Sequence, residues 1–312
     1  MLSILFFCFV AGCKGDAKEG TAAQRTETTG PLTTVTGFDG QAAYNYARTQ
    51  VDFGPRVPGT PAAKRAGDWI ISQMRSRADT VIVQSFTHTT ADGKKLALRN
   101  IVARFRPQLS ERVLYVTHWD SRPVSESAAT DEDRKKPVPG ANDGASGVGM
   151  FIALGDILKK KRPTVGVDLL FTDGEDYGQF GPPEVDVLIG SKYFASHLPS
   201  PGYKPLYGVL WDMIGDKDLR IPYEMNSFQQ APEVVSRVWQ TAADLGYGNV
   251  FVQESGGLIT DDHIPLLNAG MRVIDVIDLV YSAHHTPQDT MDKISARSLA
   301  TVGDVATALV TR

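Results

Sequence analysis

The chain has 312 residues, 42% of them hydrophobic, and a formal net charge of −4. This composition supplies enough apolar side chains for one large core and excludes collagen, coiled-coil and largely disordered chains. Because the body of the chain contains no run of five or more Lys or Arg residues, we expect no nucleic-acid partner.

The first 37 residues predict export and a membrane anchor. Residues 2–11 form an apolar run that is shorter than the ~20 residues a transmembrane helix needs. The run ends in Val10-Ala11-Gly12-Cys13, the pattern of a bacterial lipoprotein cleavage site, which predicts a signal peptide over residues 1–13 and lipidation of Cys13. An ordinary signal peptide is the alternative. Residues 14–37 predict a flexible tether, and residues 38–312 a folded domain held at the cell envelope or in the periplasm of a bacterium.

The two cysteines of the chain, Cys8 and Cys13, both lie in this first segment. Disulfides and thiolate metal ligands are therefore excluded from the folded domain.

The first elements of the domain are a helix and a strand pair. Gly59-Thr60-Pro61 is typical of a helix start, and the apolar face of that helix would carry Trp69, Ile70, Ile71 and Met74. Residues 81–87 and 98–105 predict two strands, paired in antiparallel fashion through a turn at 91–93.

Later apolar runs predict the centre of a sheet. Residues 112–117, 165–172, 207–213 and 271–279 are nearly continuous in apolar character, as expected for parallel strands buried on both faces. Helices are predicted at 144–160, 190–197, 231–245 and 295–310. The fold class is therefore α/β: a three-layer α/β/α arrangement with a central mixed, mainly parallel twisted sheet.

Ligands of such sheets bind beyond the carboxyl ends of the strands, and there the sequence places acids and histidines. They occur in five short segments: 118–120, 140–144, 173–176, Asp212 and 283–286. One Asp at a strand end is usually a helix cap or a turn residue. A whole set of clustered acids needs a cation to offset its repulsion, and imidazole with carboxylate and no thiolate suits Zn²⁺.

Seven motifs, in this order, resemble those of the zinc aminopeptidase superfamily (metallopeptidase family 28), and within it the glutaminyl-peptide cyclotransferases, or glutaminyl cyclases. The resemblance covers the chain from about Phe38 to its end. The motifs are Phe53-Gly54-Pro55-Arg56 with Pro58-Gly59-Thr60, His118-Trp119-Asp120-Ser121, residues 140–148, residues 173–178, residues 212–215, residues 261–265, and His285-Thr286 with Asp289-Thr290.

The resemblance implies roles for particular residues. It makes Asp143, Asp176 and His285 the zinc ligands, with Asp176 at a position where many relatives carry Glu. Glu175 takes the general-base position, and Asp212 and Asp261 are acids that interact with that base in cyclases. His118 and Asp212 correspond to the ligands of a second metal in two-zinc aminopeptidases. One zinc is therefore expected for a cyclase and two for an aminopeptidase.

Asp261 favours the cyclases, because aminopeptidases tend to carry Ser at this position. Animal cyclases surround the substrate with aromatic residues and place Trp beside the zinc histidine, whereas this chain has His284 there. The candidates for binding substrate are Tyr177, Phe180, Tyr281 and His284, although each also suits ordinary packing. The segment 124–139 is open to two interpretations, a lid or a disordered loop.

The expected reaction converts the N-terminal glutamine of a peptide into pyroglutamate with release of ammonia. The alternatives are a two-zinc aminopeptidase, which hydrolyses the first peptide bond, and a non-catalytic binding domain of the same fold. The expected partners are the N-termini of peptides or proteins. We expect a monomer that touches the membrane only through its lipid anchor.

Overall fold

The apolar runs form a mixed sheet with helices packed against it. The computed structural model describes residues 34–311. In chain order these residues form α1 (Gly40–Val51), α2 (Pro61–Arg75), β1 (Thr80–Thr89), β2 (Lys95–Phe105), β3 (Arg112–His118), α3 (Ala145–Lys160), β4 (Gly166–Thr172), α4 (Ile189–Ser196), β5 (Tyr207–Asp212), β6 (Ile221–Glu224), α5 (Met225–Gln230), α6 (Pro232–Asp244), β7 (Phe251–Gly257), α7 (His263–Asn268), β8 (Val273–Ile277) and α8 (Ala296–Thr311).

The N-terminal predictions fall outside this range. The signal peptide over residues 1–13, the lipidation site Cys13 and the tether as far as residue 33 lie outside the described residues. Within residues 34–311, no helix combines the length and the apolar character needed to cross a bilayer.

The main sheet has six strands in the order β1-β2-β4-β3-β5-β8. Strands β4, β3, β5 and β8 run parallel, and every residue of these four strands is buried. Strands β1 and β2 extend the sheet in antiparallel fashion at one edge. The predicted mixed sheet with a parallel centre is confirmed.

Alternate residues of the central strands contribute to two cores, as the period of a strand requires. Tyr115, Leu169 and Val209 belong to the larger core, together with buried residues of α1, α3 and α8. Leu114, Leu170 and Leu210 belong to the second core, which contains residues of α4 and α7. Apolar packing on both faces explains why these strands are continuous in apolar character.

Helix α2 begins where the sequence predicts. Thr60 is its N-cap and accepts a hydrogen bond from the backbone N–H of Ala63 at 3.2 Å, and Pro61 occupies the first helical position. Its residues Ile70, Ile71 and Met74 are buried, as predicted for the apolar face of this helix.

Candidate active site

Acids and histidines from separate segments meet at the carboxyl ends of the parallel strands. His118 and Asp212 are the last residues of β3 and β5, and Glu175 and Asp176 follow β4. Asp143 and His285 reach the same place from the loops that precede α3 and follow β8. The predicted site residues Asp143, Glu175, Asp176, Asp212, Asp261, His118 and His285 are each at most 8% exposed.

The carboxylate of Asp143 lies between two imidazole rings. Its Oδ2 is 3.6 Å from Nε2 of His285, and its Oδ1 is 2.9 Å from Nε2 of His118. The Nε2 of His285 is also 3.4 Å from Oδ1 of Asp176, and the Nε2 of His118 is 3.1 Å from Oδ1 of Asp212. Two adjacent positions for a cation result, one on each side of Asp143.

The spacing between His285 and Asp143 fits a tetrahedral ion. Two ligand atoms that each lie ~2.1 Å from such an ion are about 3.4 Å apart, close to the 3.6 Å between Nε2 of His285 and Oδ2 of Asp143. Oδ2 of Asp176 is buried and has no hydrogen-bond partner among residues 34–311. An unpartnered buried carboxylate oxygen is costly, and coordination of a cation would offset that cost.

Among residues 34–311, two sets of three residues have ligand atoms that all lie within 4.8 Å of one another: Asp143, His284 and His285, and His118, Asp143 and Asp212. Asp176 belongs to neither set, so the three predicted ligands are brought together pairwise, through His285. The neighbouring His284 is therefore a further possible ligand beside the predicted His285. The second set has the composition expected for a second metal position.

Two further buried acids hold the loops that carry these side chains. Asp120 accepts the backbone N–H groups of Glu175 at 3.1 Å and Asp176 at 3.2 Å. Asp289 accepts those of Asn142 at 2.8 Å and Asp143 at 3.1 Å. Each pair of bonds fixes the backbone on which a predicted ligand stands.

Glycines allow the start of α3 to approach the sheet closely. Gly144 adopts φ +94°, which a residue with a side chain rarely does. A Cβ atom on Gly147 would lie 2.0 Å from Oγ1 of Thr117 and 2.8 Å from the carbonyl oxygen of Trp211. The close approach of the α3 backbone places Asp143 against the ends of β3 and β5.

Two acids of the site have raised pKa values. Burial raises the pKa of the Glu175 carboxyl well above its usual range; Asp176 and Asp261 raise it further, against the opposing effect of His118. Burial, followed by the charges of Asp212 and Asp262, likewise raises the pKa of Asp261 well above its usual range. Carboxyl groups with raised pKa values can hold and return a proton near neutral pH.

A cavity of about 700 Å³ opens onto these groups. Glu175, Asp176 and Asp261 form part of its wall, and the apolar side chains of Val124 and Leu258 also line it. The volume is ample for the first residues of a peptide.

Two of the four candidate substrate-binding residues line this cavity, namely Phe180 and His284. Tyr281 is buried beside Met213 and Ile277, and its hydroxyl donates to Oδ1 of Asp289 at 2.6 Å. Tyr177 packs against an apolar cluster of β2 and α4, and its hydroxyl accepts a hydrogen bond from Lys94 at 3.0 Å.

The segment 124–139 folds against the site instead of extending from it. Its backbone is held by hydrogen bonds from Ser125 to Arg134 at 3.1 Å and from Val138 to Arg122 at 3.0 Å. Arg122 and Glu126, which the sequence did not single out, contact predicted zinc ligands. Their spacing of four residues is typical of an exposed ion pair, so the sequence contained no signal for this role.

Comparison with known proteins identifies the family. The family model described as Peptidase family M28 matches residues 100–310, which is more than half of the chain. The chain belongs to peptidase family M28.

Solved structures that are similar to this chain have two kinds of names. The sequence of Porphyromonas gingivalis glutaminyl cyclase is 38% identical to this chain. Its crystal structure superposes with a TM-score of 0.83, and the match covers 87% of this chain and 97% of that one. A Zn-dependent exopeptidase from Parabacteroides distasonis is 36% identical, with a TM-score of 0.84, over 88% of this chain and 99% of that one.

A relative found by sequence comparison is also named as a cyclotransferase. The glutaminyl-peptide cyclotransferase of Bos taurus is 26% identical over 279 residues, which is 78% of this chain and 74% of the bovine protein. Membership of family M28 thus confirms the resemblance inferred from the motifs. The nearly equal similarity to a cyclase and to an exopeptidase means that the choice between the two activities depends on the site.

Proposed function

We propose that this chain is a zinc-dependent glutaminyl-peptide cyclotransferase. It would convert the N-terminal glutamine of a peptide into pyroglutamate and release ammonia. The similarity to glutaminyl cyclases from Porphyromonas gingivalis and Bos taurus supports this activity, and the buried acids around Glu175 favour it over peptide hydrolysis.

Asp261 is the observation that carries the proposal. It is a second buried carboxyl group on the wall of the same cavity as Glu175, so ionisation of one of the two acids opposes ionisation of the other. In cyclisation the nucleophile is the substrate's own α-amine, so the site must move protons but need not activate water. Acids with raised pKa values suit that task.

Asp143, Asp176 and His285 are the proposed ligands of one zinc ion. When bound there, zinc would polarise the side-chain amide carbonyl of the substrate glutamine. We expect a single ion, as the similarity to glutaminyl cyclases implies; His118, Asp143 and Asp212 are the residues that would hold a second ion in the alternative.

Glu175 is the proposed proton carrier. It would accept a proton from the α-amine as the amine nitrogen bonds to the side-chain amide carbon, and return that proton to the amide nitrogen as the old carbon–nitrogen bond breaks. Ammonia leaves and a five-membered lactam remains. Asp212 and Asp261 would keep the proton within the group of acids, and Phe180 and His284 would contact the substrate.

A two-zinc aminopeptidase is the second candidate. The grouping of His118, Asp143 and Asp212 provides the ligands for another ion, and the Parabacteroides distasonis relative is named an exopeptidase. Two ions held by these residues would supply the activation of water that hydrolysis of the first peptide bond requires.

Mass spectrometry of the products separates the two activities. The purified chain is incubated with a peptide that begins with glutamine and with a matched peptide that begins with leucine. We expect the first to lose the mass of ammonia and the second to stay intact. Release of leucine would favour the aminopeptidase. Zinc content after gentle dialysis gives an independent measurement, with about one ion per chain expected for the cyclase.

The N-terminal residues support a separate proposal about location. We propose that Cys13 carries a lipid anchor, that residues 14–37 tether the domain, and that residues 38–312 act in the cell envelope or periplasm. Cys13→Ser should move the protein from the membrane fraction to the soluble fraction of the expressing bacterium. An unchanged distribution would contradict the anchor.

A further inference from the structure

Arg122 follows the end of β3 in the chain and contacts Asp176, one of the proposed zinc ligands. Its Nη1 donates to Oδ1 of Asp176 at 2.7 Å and to the backbone oxygen of the same residue at 3.3 Å. The arginine is 4% exposed, so water contributes little to its solvation. Because Oδ1 of Asp176 receives this hydrogen bond, the unpartnered Oδ2 remains for an ion.

Glu126 connects Arg122 to a second proposed ligand. One carboxylate oxygen accepts from Nε of Arg122 at 2.7 Å, and the other lies 2.8 Å from Nδ1 of His285. A histidine that donates from Nδ1 presents the lone pair of Nε2 to a metal, and such a carboxylate partner also fixes the orientation of the ring. Nε2 of His285 is the atom that faces Asp143 and Asp176.

The same loop also holds the backbone of His285. The N–H of Ser127 donates to the carbonyl oxygen of His285 at 3.2 Å. His285 adopts φ +54°, a conformation that residues with a side chain rarely occupy without support from their surroundings. One short segment, residues 122–127, thus restrains ligands that come from two distant parts of the chain.

We propose that Arg122 and Glu126 form a clamp that positions Asp176 and His285 for zinc. Arg122 holds Asp176 by one oxygen, and Glu126 holds His285 by Nδ1, so both ligands have their coordinating atoms oriented before the ion arrives. The two clamp residues are positioning residues and need not touch the substrate. The proposal rests on the proposed function, because it requires zinc at Asp143, Asp176 and His285.

A purely structural ion pair would behave differently. The side chain of Glu126 is 43% exposed, whereas that of Arg122 is 5% exposed and keeps its bond to Asp176 when Glu126 is removed. Removal of Glu126 should therefore lower the melting temperature of the zinc-free protein only slightly, while the affinity for zinc should fall.

The experiment measures the zinc dissociation constant of the full domain by competition with a chromogenic chelator, with Zn²⁺ alone as the probe. We expect Glu126→Ala to weaken zinc binding about 10- to 100-fold, the range typical for the loss of such a carboxylate partner. Glu126→Gln should lie between the alanine variant and the wild type, because its amide oxygen can still accept from Nδ1. Arg122→Lys should weaken binding as well, because an ammonium group cannot bridge both acids in the same way.

Glu132→Gln is the matched control, since it removes an exposed acid from the same loop. It should bind zinc as the wild type does. If Glu126→Ala does not fold, the nearly isosteric Glu126→Gln decides in its place. Equal zinc affinity in the wild type and in the folded Glu126 variants would overturn the clamp alone. Failure of the wild type to bind zinc would overturn the proposed function and the clamp together.

Discussion

Glu175 lies 3.6 Å from Nδ1 of His118 and is buried on the wall of the cavity. Glu175→Gln keeps the shape of the side chain but removes its ability to carry a proton. We expect cyclisation to slow by about 10²- to 10⁴-fold, while zinc content and melting temperature stay at wild-type values. Turnover is measured as ammonia release under saturating peptide. Undiminished turnover in a zinc-loaded variant would refute the role of Glu175 as the base.

At the level of single residues, sequence predicts what lies at the end of a buried strand. His118, Glu175 and Asp212 could be found because polar residues directly follow continuous apolar runs, and the sheet brings such positions together. Arg122 and Glu126 could not, because their contacts with Asp176 and His285 depend on the path of a loop. The proposed roles of all these residues stay predictions until the variants are measured.

Helix α3 depends on the absence of a side chain at Gly147. A methyl group there would collide with Thr117 and with the backbone of Trp211. We expect Gly147→Ala to lower the free energy of unfolding by about 1–3 kcal/mol, the usual cost of overpacking, measured by denaturant titration. Gly248→Ala is the control, because a Cβ atom on that exposed glycine meets no atom within 4 Å. Equal stability of the two variants would contradict the close packing of α3.

Helix α5 is capped by a buried acid. Glu224 accepts hydrogen bonds from the backbone N–H groups of Asn226 at 2.8 Å and Ser227 at 2.6 Å. Burial opposes ionisation of Glu224, but the imidazole of His263, 3.2 Å away, and the hydrogen bonds from Ser227 outweigh it and lower the pKa to about 2. A lowered carboxyl pKa stabilises the fold above the pKa of the unfolded chain, and this contribution is lost as the pH falls through the folded value.

Glu224→Gln tests this linkage. At pH 7 the variant should be less stable by about 2 kcal/mol, since a cap is lost and buried donors lose their partner. The difference should shrink as the pH falls from about 4.5 towards 2, followed by thermal unfolding across this range. Glu254→Gln is the control, because Glu254 forms only an exposed ion pair with Arg220. A difference that does not depend on pH would contradict the lowered pKa.

The elements that could be predicted from the sequence are the long ones with a clear pattern of apolar residues. Strands β3, β4, β5 and β8 and helices α2, α3, α4, α6 and α8 were predicted within a few residues, because buried runs and caps mark them. The β6–β7 pair was not predicted, since β6 has four residues and β7 is largely exposed. Helix α1 was missed because its buried face contains small side chains such as Ala43 and Ala47.

The whole domain should be more stable with zinc than without it. A ligand that binds only the folded state adds about 2.7 kcal/mol at a free concentration 100 times its dissociation constant. We therefore expect chelation to lower the melting temperature by about 5 °C, measured by calorimetry of metal-free and zinc-loaded protein. Glu175→Gln should show the same shift, because Glu175 is not a proposed ligand. A melting temperature that is insensitive to zinc would contradict the metal site.

The strand order has a consequence for how the ion is acquired. Asp143, Asp176 and His285 come together only when β3, β4, β5 and β8 already lie side by side. In a zinc finger the ion creates the fold, and its removal unravels the chain. Here the sheet is held by apolar cores on both of its faces, so we expect a molecule stripped of its ion to stay folded and to bind another ion without refolding.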